Sequence, residues 1–121
     1  MIGIDLLEYE RFKIAVHRSG RSFLNRILRG KEMEDNREIM WGTIFSAKES
    51  FIKLVGGMPT KGSFQDIEIK FDSSSTFSVE TFGTVNQCVH SKNITKINGE
   101  FQVFKNGLIL TTITANSGEN E

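Results

Sequence analysis

Cysteine and histidine are scarce in this sequence of 121 residues, which contains one cysteine and two histidines. A single Cys88 excludes an intrachain disulfide framework and a zinc site built from cysteines, so we expect it to be a small apolar side chain in a strand. Two scattered histidines, His17 and His90, with one cysteine give no basis for a Ser-His-Asp or Cys-His catalytic arrangement.

Long hydrophobic runs are also missing. No apolar run approaches the ~20 residues that a membrane-spanning helix needs, and the first residues contain neither a basic region nor a small-residue cleavage site. We therefore expect no membrane insertion and no signal peptide, and hence a cytoplasmic protein. The length suits one domain, which we place at residues 1–115, followed by a polar C-terminal tail at residues 116–121.

Neither sign of charge is in excess, because 15 basic and 15 acidic residues cancel. The basic residues nevertheless crowd into the first third of the chain, at Arg11, Lys13, His17, Arg18, Arg21, Arg26, Arg29 and Lys31. Such a surface can steer an acidic partner, although a solvated helix face has the same pattern. With few aromatic residues among these cations and no nucleic-acid-binding motif, an acidic protein partner is favoured over RNA or DNA.

Hydrophobic periodicity divides the chain into a largely helical first half and a strand-rich second half. After a short strand at residues 1–7, helical spacing over residues 38–55 predicts the longest helix, and residues 56–59 end it. Alternation predicts a strand at residues 64–71, and more strands are expected at 76–89, 94–97, 100–104 and 108–114. Hairpin turns are expected at Asn98-Gly99 and Asn106-Gly107. This order predicts an α+β fold, with N-terminal helices including one long helix packed on a mainly antiparallel sheet.

Residues 45–53 combine charged side chains with apolar ones in a single segment. On a helix Glu49 projects beside Lys48 and Lys53, while Phe45 and Ile52 can anchor the helix to a core. Magnesium is usually held by one or two protein carboxylates together with substrate phosphates, so Glu49 and a second acid such as Asp5 would suffice. The alternative is an ordinary amphipathic helix with a Glu49–Lys53 ion pair that contributes about 0.2–0.5 kcal/mol.

Four separated segments follow a known pattern in order. Residues 2–12 resemble an opening of the G-I-D-I/L-x-E-x-x-R-F type, and residues 20–28 a segment with Phe followed by Arg-Ile-Leu, with an acid further on at Glu32 or Glu34. Residues 45–53 resemble an F-x-A-K-E-x-x-x-K signature, and residues 63–69 the strand after it. Over residues 1–71 the chain thereby resembles the holo-acyl carrier protein synthase family of the phosphopantetheinyl transferase superfamily, from which its C-terminal half diverges.

The resemblance implies transfer of the phosphopantetheine arm of coenzyme A to a serine of an apo acyl carrier protein, as in fatty acid biosynthesis, with Mg²⁺ bound at the diphosphate. The implied site residues are Asp5 and Glu49 as metal ligands, Glu49 and Lys53 as catalytic residues, Lys48 and Lys53 as coenzyme A contacts, and Arg11, Arg21 and Arg26 as the carrier-protein surface. The resemblance also implies a homotrimer with each active site at a subunit boundary.

The chain departs from the family pattern at three places. Ile44 stands where the family has an arginine, residues 56–59 are a shorter loop than the family's Gly-x-Gly loop, and residues 98–103 lack the family's histidine. These departures leave a second function open, that of a non-catalytic homologue that binds an acyl carrier protein or scaffolds an assembly.

Overall fold

An antiparallel sheet of five strands is covered on one face by the longest helix. The structure, a computed structural model, describes residues 1–118. Its elements in chain order are β1 (Ile2–Glu8), α1 (Tyr9–Ser19), α2 (Arg21–Ile27), α3 (Glu38–Val55), β2 (Ile67–Phe71), β3 (Thr76–Thr81), α4 (Gly83–Ser91), β4 (Ile94–Val103) and β5 (Leu108–Ser117). The predicted α+β class is confirmed.

The strand order β1-β5-β4-β3-β2 pairs the first strand of the chain with the last. In that pair Asp5 lies opposite Thr111 and Leu6 opposite Leu110. Side chains alternate between the faces of a strand, so Gly3 and Asp5 face α3. The other face of β1 is open to solvent, and its apolar side chains are 50–60% exposed: Ile2 59%, Ile4 50% and Leu6 60%.

Helix α3 has the bounds that its apolar spacing predicts. It ends at Gly56, which adopts the left-handed conformation (φ 94°) that glycine tolerates best. Helix α1 packs against it, α2 contacts it through the rings of Phe23 and Phe45, and β1 and β5 lie beneath it. The contact with β1 is close, because a Cβ atom built on Gly3 would lie 1.9 Å from the backbone oxygen of Ser50.

A hydrogen-bonded trio joins α1 to the first turn of α3. The Tyr9 hydroxyl donates to Glu38 Oε1 at 2.8 Å, and His17 Nε2 lies 3.2 Å from Glu38 Oε2. Burial, followed by the hydrogen bond to Glu38, raises the pKa of Tyr9 to about 12. Both histidines of the chain lie on helices, His17 in α1 and His90 in α4.

The predicted strands at residues 76–89 are partly wrong. Strand β3 ends at Thr81, and residues 83–91 form α4, so Cys88 lies in a helix. Val85 and Val89 are four residues apart and both buried, which is helical spacing. Their β-branched side chains favour strands intrinsically, and packing against the core overrides that preference.

One of the two predicted hairpin turns is wrong. The turn at Asn106-Gly107 joins β4 to β5, with Gly107 at φ 87°. Asn98-Gly99 instead lies inside β4, which continues from Ile94 to Val103 with an irregularity between Thr95 and Asn98. Gly99 accommodates an aromatic ring, because its Cβ would lie 2.3 Å from the ring of Phe77.

The predicted C-terminal tail begins too early. Strand β5 continues to Ser117, where its last residue pairs with Ile94, so residues 116 and 117 belong to the sheet. Residues 119–121 of the predicted tail lie outside the described residues. Within residues 1–118, no helix combines the length and the apolarity that crossing a membrane would require.

Candidate functional site

An acid stands at an inward-facing position of β1, where the alternation of the strand would otherwise place an apolar side chain. The Asp5 side chain is 13% exposed. A buried carboxylate needs hydrogen-bond or charged partners, and Asp5 has both kinds. Ser46 Oγ donates to Asp5 Oδ2 at 2.8 Å, and Lys53 Nζ lies 2.9 Å from Asp5 Oδ1.

Lys53 reaches Asp5 across the gap between α3 and β1. Its ammonium also donates to the backbone oxygen of Ile4 at 3.2 Å, while its side chain remains 53% exposed. Lys53 therefore pairs with Asp5 on another element, and not with Glu49 in the i,i+4 pair of the alternative interpretation. A half-exposed lysine can exchange this partner for a ligand, because little buried structure holds it.

Glu49 is the second acid of the cluster. It lies half-buried on α3, and no ion pair or hydrogen bond within residues 1–118 engages its carboxylate. Burial, followed by the negative charge of Asp5, raises the pKa of Glu49, and Lys53 opposes that rise. The structure thus brings together Asp5, Glu49 and Lys53, which are predicted from distant parts of the sequence.

Lys48 does not join them. Its side chain is fully buried, and its ammonium donates to the backbone oxygens of Ile27 (2.7 Å) and Phe64 (3.1 Å) and to Glu32 Oε1 (2.7 Å). Three acceptors match the three protons of an ammonium group. Burial lowers the pKa of Lys48, and the charge of Glu32 opposes this. In this arrangement no proton of the Lys48 ammonium remains for a ligand, so the predicted contact of Lys48 with coenzyme A stays a prediction that would require one of these bonds to break.

Glu32 holds three parts of the fold together. Besides Lys48, its carboxylate accepts the backbone N–H groups of Arg29 at 2.7 Å and Ile69 at 2.7 Å. The sequence pattern left Glu32 and Glu34 as equal candidates for the acid after the second segment. The structure distinguishes them, because Glu32 is buried at 5% exposure and Glu34 is exposed.

Two residues of the site neighbourhood have no counterpart among the sequence predictions. Ser46 and Thr111 are fully buried beside Asp5, with their hydroxyl oxygens 2.9 Å apart. The sequence does contain one sign of this pair. Thr111 is a polar residue at an inward position of β5, with Ile109 and Ile113 on either side of it on the same face of the strand.

The remaining predicted positions lie elsewhere. Arg11 on α1 and Arg21 and Arg26 on α2 are exposed. Arg11 pairs with Glu8 at 3.5 Å, and its side chain is 81% exposed. Ile44 is 2% exposed in the hydrophobic core, so this position does not face solvent.

Two carboxylates and a half-exposed lysine suit a phosphorylated ligand bound with a metal ion. Within residues 1–118, no three Asp, Glu, His or Cys side chains are grouped to hold a metal by themselves. A metal here would therefore need ligands from outside the chain, and magnesium, which prefers oxygen and commonly completes its shell with phosphates and water, fits Asp5 and Glu49.

Comparisons with known proteins agree with this chemistry. The family model of the 4'-phosphopantetheinyl transferase superfamily matches residues 1–111. A holo-[acyl-carrier-protein] synthase of Vibrio vulnificus (strain CMCP6) is 32% identical over 99 residues, which cover 77% of this chain and 79% of that protein.

Solved structures show the same fold. The holo-[acyl-carrier-protein] synthase of Neisseria meningitidis superimposes with a TM-score of 0.84 at 22% identity, covering 96% of this chain and 97% of the other. The synthase of Helicobacter pylori, solved in complex with coenzyme A, gives a TM-score of 0.82 at 22% identity, covering 96% of this chain and 100% of the other.

The family model and the curated relative, which agree with the shared fold, place the chain in a class of transferases. The chain belongs to the holo-[acyl-carrier-protein] synthase family of the 4'-phosphopantetheinyl transferase superfamily.

Proposed function

We propose that this protein transfers phosphopantetheine from coenzyme A to a serine of an apo acyl carrier protein in a Mg²⁺-dependent reaction. The observation that carries the proposal is the cluster of Asp5, Glu49 and Lys53 at the junction of β1 and α3. Membership of the synthase family, whose Helicobacter pylori member was solved with coenzyme A, supports the choice of substrate.

Asp5 and Glu49 are the proposed ligands of the metal ion. Within residues 1–118, Glu49 has no hydrogen-bond or ion-pair partner, and Asp5 Oδ1 is engaged only by the half-exposed Lys53. When bound, Mg²⁺ would neutralise negative charge on the diphosphate of coenzyme A. Lys53 would then contact a phosphate oxygen, since its half-exposed side chain can leave Asp5.

Glu49 is also the proposed general base. In the transfer, the serine oxygen forms a bond to the phosphorus of the phosphopantetheine arm, and the bond from that phosphorus to the bridging oxygen breaks. Adenosine 3',5'-bisphosphate leaves with that oxygen, and the serine proton passes to the Glu49 carboxylate directly or through a water molecule. Glu49 suits this task because no hydrogen bond or ion pair within residues 1–118 engages its carboxylate, which is therefore available to accept a proton.

The carrier protein is proposed to dock on the basic surface of α1 and α2. Arg11, Arg21 and Arg26 are exposed there and accessible to acidic side chains, and the pair of Arg11 with Glu8 is itself exposed to solvent. Because exposed charges are screened by salt, we expect carrier binding to weaken as ionic strength rises. No nucleic acid or membrane partner is part of the proposal, and cytoplasmic location remains a prediction from the sequence.

A homotrimer is proposed as the working form. The apolar side chains of Ile2, Ile4 and Leu6 are at least half exposed along one face of β1. Exposed apolar side chains grouped on one surface commonly mark a site of association. Association of the sheets through this face would bury them.

Intact-mass analysis of apo acyl carrier proteins, incubated with coenzyme A, Mg²⁺ and this protein, tests the proposed function. We expect a mass gain of one phosphopantetheine with the wild type, none with the double variant Asp5→Asn/Glu49→Gln, and a full gain with Asp72→Asn, a matched change at an exposed carboxyl group. Carrier binding without mass gain on any carrier of a panel, including carriers from the same cell, would favour the non-catalytic alternative.

A further inference from the structure

Buried hydroxyl groups connect the last strand of the sheet to the carboxylate of Asp5. Thr111 on β5 and Ser46 on α3 are both fully buried. Thr111 Oγ1 lies 2.9 Å from Ser46 Oγ and 3.0 Å from the backbone oxygen of Ser46. Ser46 Oγ in turn lies 2.8 Å from Asp5 Oδ2. The carboxylate is thus linked to the interior of the protein through two fully buried side chains.

Counting protons gives these hydrogen bonds a direction. A hydroxyl group has one proton, and an ionised carboxylate can only accept, so the proton of Ser46 points to Asp5. The single proton of Thr111 then has three possible acceptors, which are Ser46 Oγ, the backbone oxygen of Ser46 and Ser50 Oγ, 3.2 Å away. Ser50 donates its own proton to the backbone oxygen of Ala47 at 2.8 Å. Ser46 is therefore the hydroxyl of this network that serves Asp5.

The two oxygens of Asp5 have different surroundings. Oδ2 is held by Ser46, which has no exposed surface, whereas Oδ1 faces Lys53, whose side chain is 53% exposed. A serine packed in the middle of α3 keeps one position, while a long exposed lysine can exchange partners. Oδ1 is thus the oxygen that a ligand can reach.

We propose that Ser46, held in turn by Thr111, is a positioning residue that fixes the Asp5 carboxylate so that Oδ1, on the side of Lys53, is available to a metal ion. This inference rests on the proposed function, because it assigns a role in the same site. Residues that orient a metal ligand typically change metal affinity or activity by about 10- to 100-fold when mutated. A residue that only fills the core would change stability without changing metal affinity.

Ser50 provides the matched control. It is fully buried on the same helix and contacts the same threonine, but its proton goes to the helix backbone and not to Asp5. Ser50→Ala therefore removes the same atom from the same environment as Ser46→Ala. Thr111→Val removes the hydroxyl that supports Ser46 and keeps the shape, whereas Thr111→Ser keeps the hydroxyl.

The test is titration of each variant with Mn²⁺ in the presence of coenzyme A, followed by electron paramagnetic resonance, together with transfer rates over a range of Mg²⁺ concentrations. We expect Ser46→Ala to weaken Mn²⁺ binding by about 10- to 100-fold and to raise the Mg²⁺ concentration needed for half-maximal rate. Thr111→Val should show a smaller loss in the same direction, and Ser50→Ala and Thr111→Ser should match the wild type.

The outcomes separate this inference from the proposed function. A wild type that transfers phosphopantetheine while Ser46→Ala and Ser50→Ala bind Mn²⁺ equally well overturns the positioning role alone. A wild type that neither binds Mn²⁺ nor transfers overturns the proposed function and the inference with it. If Ser46→Ala does not fold, the comparison of Thr111→Val with Thr111→Ser decides, and equal metal binding by those two variants refutes the inference.

Discussion

The charge of Glu49 opposes folding. Burial and the neighbouring Asp5 raise the pKa of Glu49 in the folded protein above its value in the unfolded chain. Between those two values the folded state binds more protons than the unfolded state, so stability falls as the pH rises through them. At a pH above both pKa values, the charge of Glu49 destabilises the folded protein by its full amount. At a pH below both values, the carboxyl group is protonated in the folded and the unfolded state, and the effect disappears.

Glu49→Gln should therefore stabilise the protein at a pH above both of these pKa values. We expect its melting temperature to exceed that of the wild type at about pH 8, and the difference to shrink below about pH 4, where an ordinary glutamic acid is protonated. Scanning calorimetry at both pH values measures the effect, with Asp72→Asn as the control for loss of an exposed charge. A lower melting temperature for Glu49→Gln at the higher pH would contradict the assigned cause.

Lys48 has a role in stability that its place in the signature does not reveal. Lys48→Met would leave the carboxylate of Glu32 buried without its cation, and breaking a buried pair from one side costs about 3–5 kcal/mol. Urea unfolding measures this loss. The double variant Lys48→Met/Glu32→Gln should lose less free energy of unfolding than the two single variants lose together, because it leaves neither charge buried without its partner. A loss for Lys48→Met no larger than that of a typical surface substitution would show that the ion pair is not formed.

At the scale of single residues, the sequence was sufficient to select Asp5, Glu49 and Lys53, because carboxylates and lysines are the side chains that commonly bind metal ions and phosphates. It could not separate Lys48 from Lys53, since both flank Glu49 in the same signature. The difference arises from the packing of α3, which directs Lys48 into the core and Lys53 toward the edge at β1. Ser46 and Thr111 were missed because they are 65 positions apart and meet only in the folded chain.

Among the elements, the ones with strong local signals were predicted best. Helix α3 has a long apolar period and a glycine stop, and the turn at Asn106-Gly107 requires the positive φ that Gly107 adopts. Helix α4 was missed because its buried valines resemble a strand when only nine residues are available. The hairpin turn predicted at Asn98-Gly99 was wrong for a different reason. The glycine at position 99 makes room for the ring of Phe77 and does not form a turn.

The contact between β1 and α3 gives a prediction about an element as a whole. Gly3→Ala would place a Cβ atom 1.9 Å from the Ser50 backbone oxygen and 2.9 Å from the Leu54 backbone nitrogen, and neither atom can move without displacing α3. We expect a loss of at least about 2–3 kcal/mol in unfolding free energy and a loss of transfer activity, because β1 carries Asp5. Gly30→Ala is the control, as nothing lies within 4 Å of its Cβ position. Wild-type stability of Gly3→Ala would refute the close packing.

For the whole molecule, the open face of the sheet leads to a prediction of association. Light scattering coupled to size-exclusion chromatography should show a trimer for the wild type and a smaller species for Ile4→Glu/Leu6→Glu, because a charged side chain cannot be buried without a partner. Ile14→Glu, a change at an exposed isoleucine of α1, should remain trimeric. A monomeric wild type at assay concentrations would contradict the homotrimer.

The central claim is that Asp5 and Glu49 act as one unit in phosphopantetheine transfer, and the most direct test is a double-mutant cycle on the initial rate. We expect Asp5→Asn and Glu49→Gln each to lower the rate by about 10²- to 10⁴-fold. The double variant should be little slower than the slower single variant, because residues that act as a unit are not additive. Losses that multiply in the double variant, or a single variant that keeps the wild-type rate, would contradict the claim.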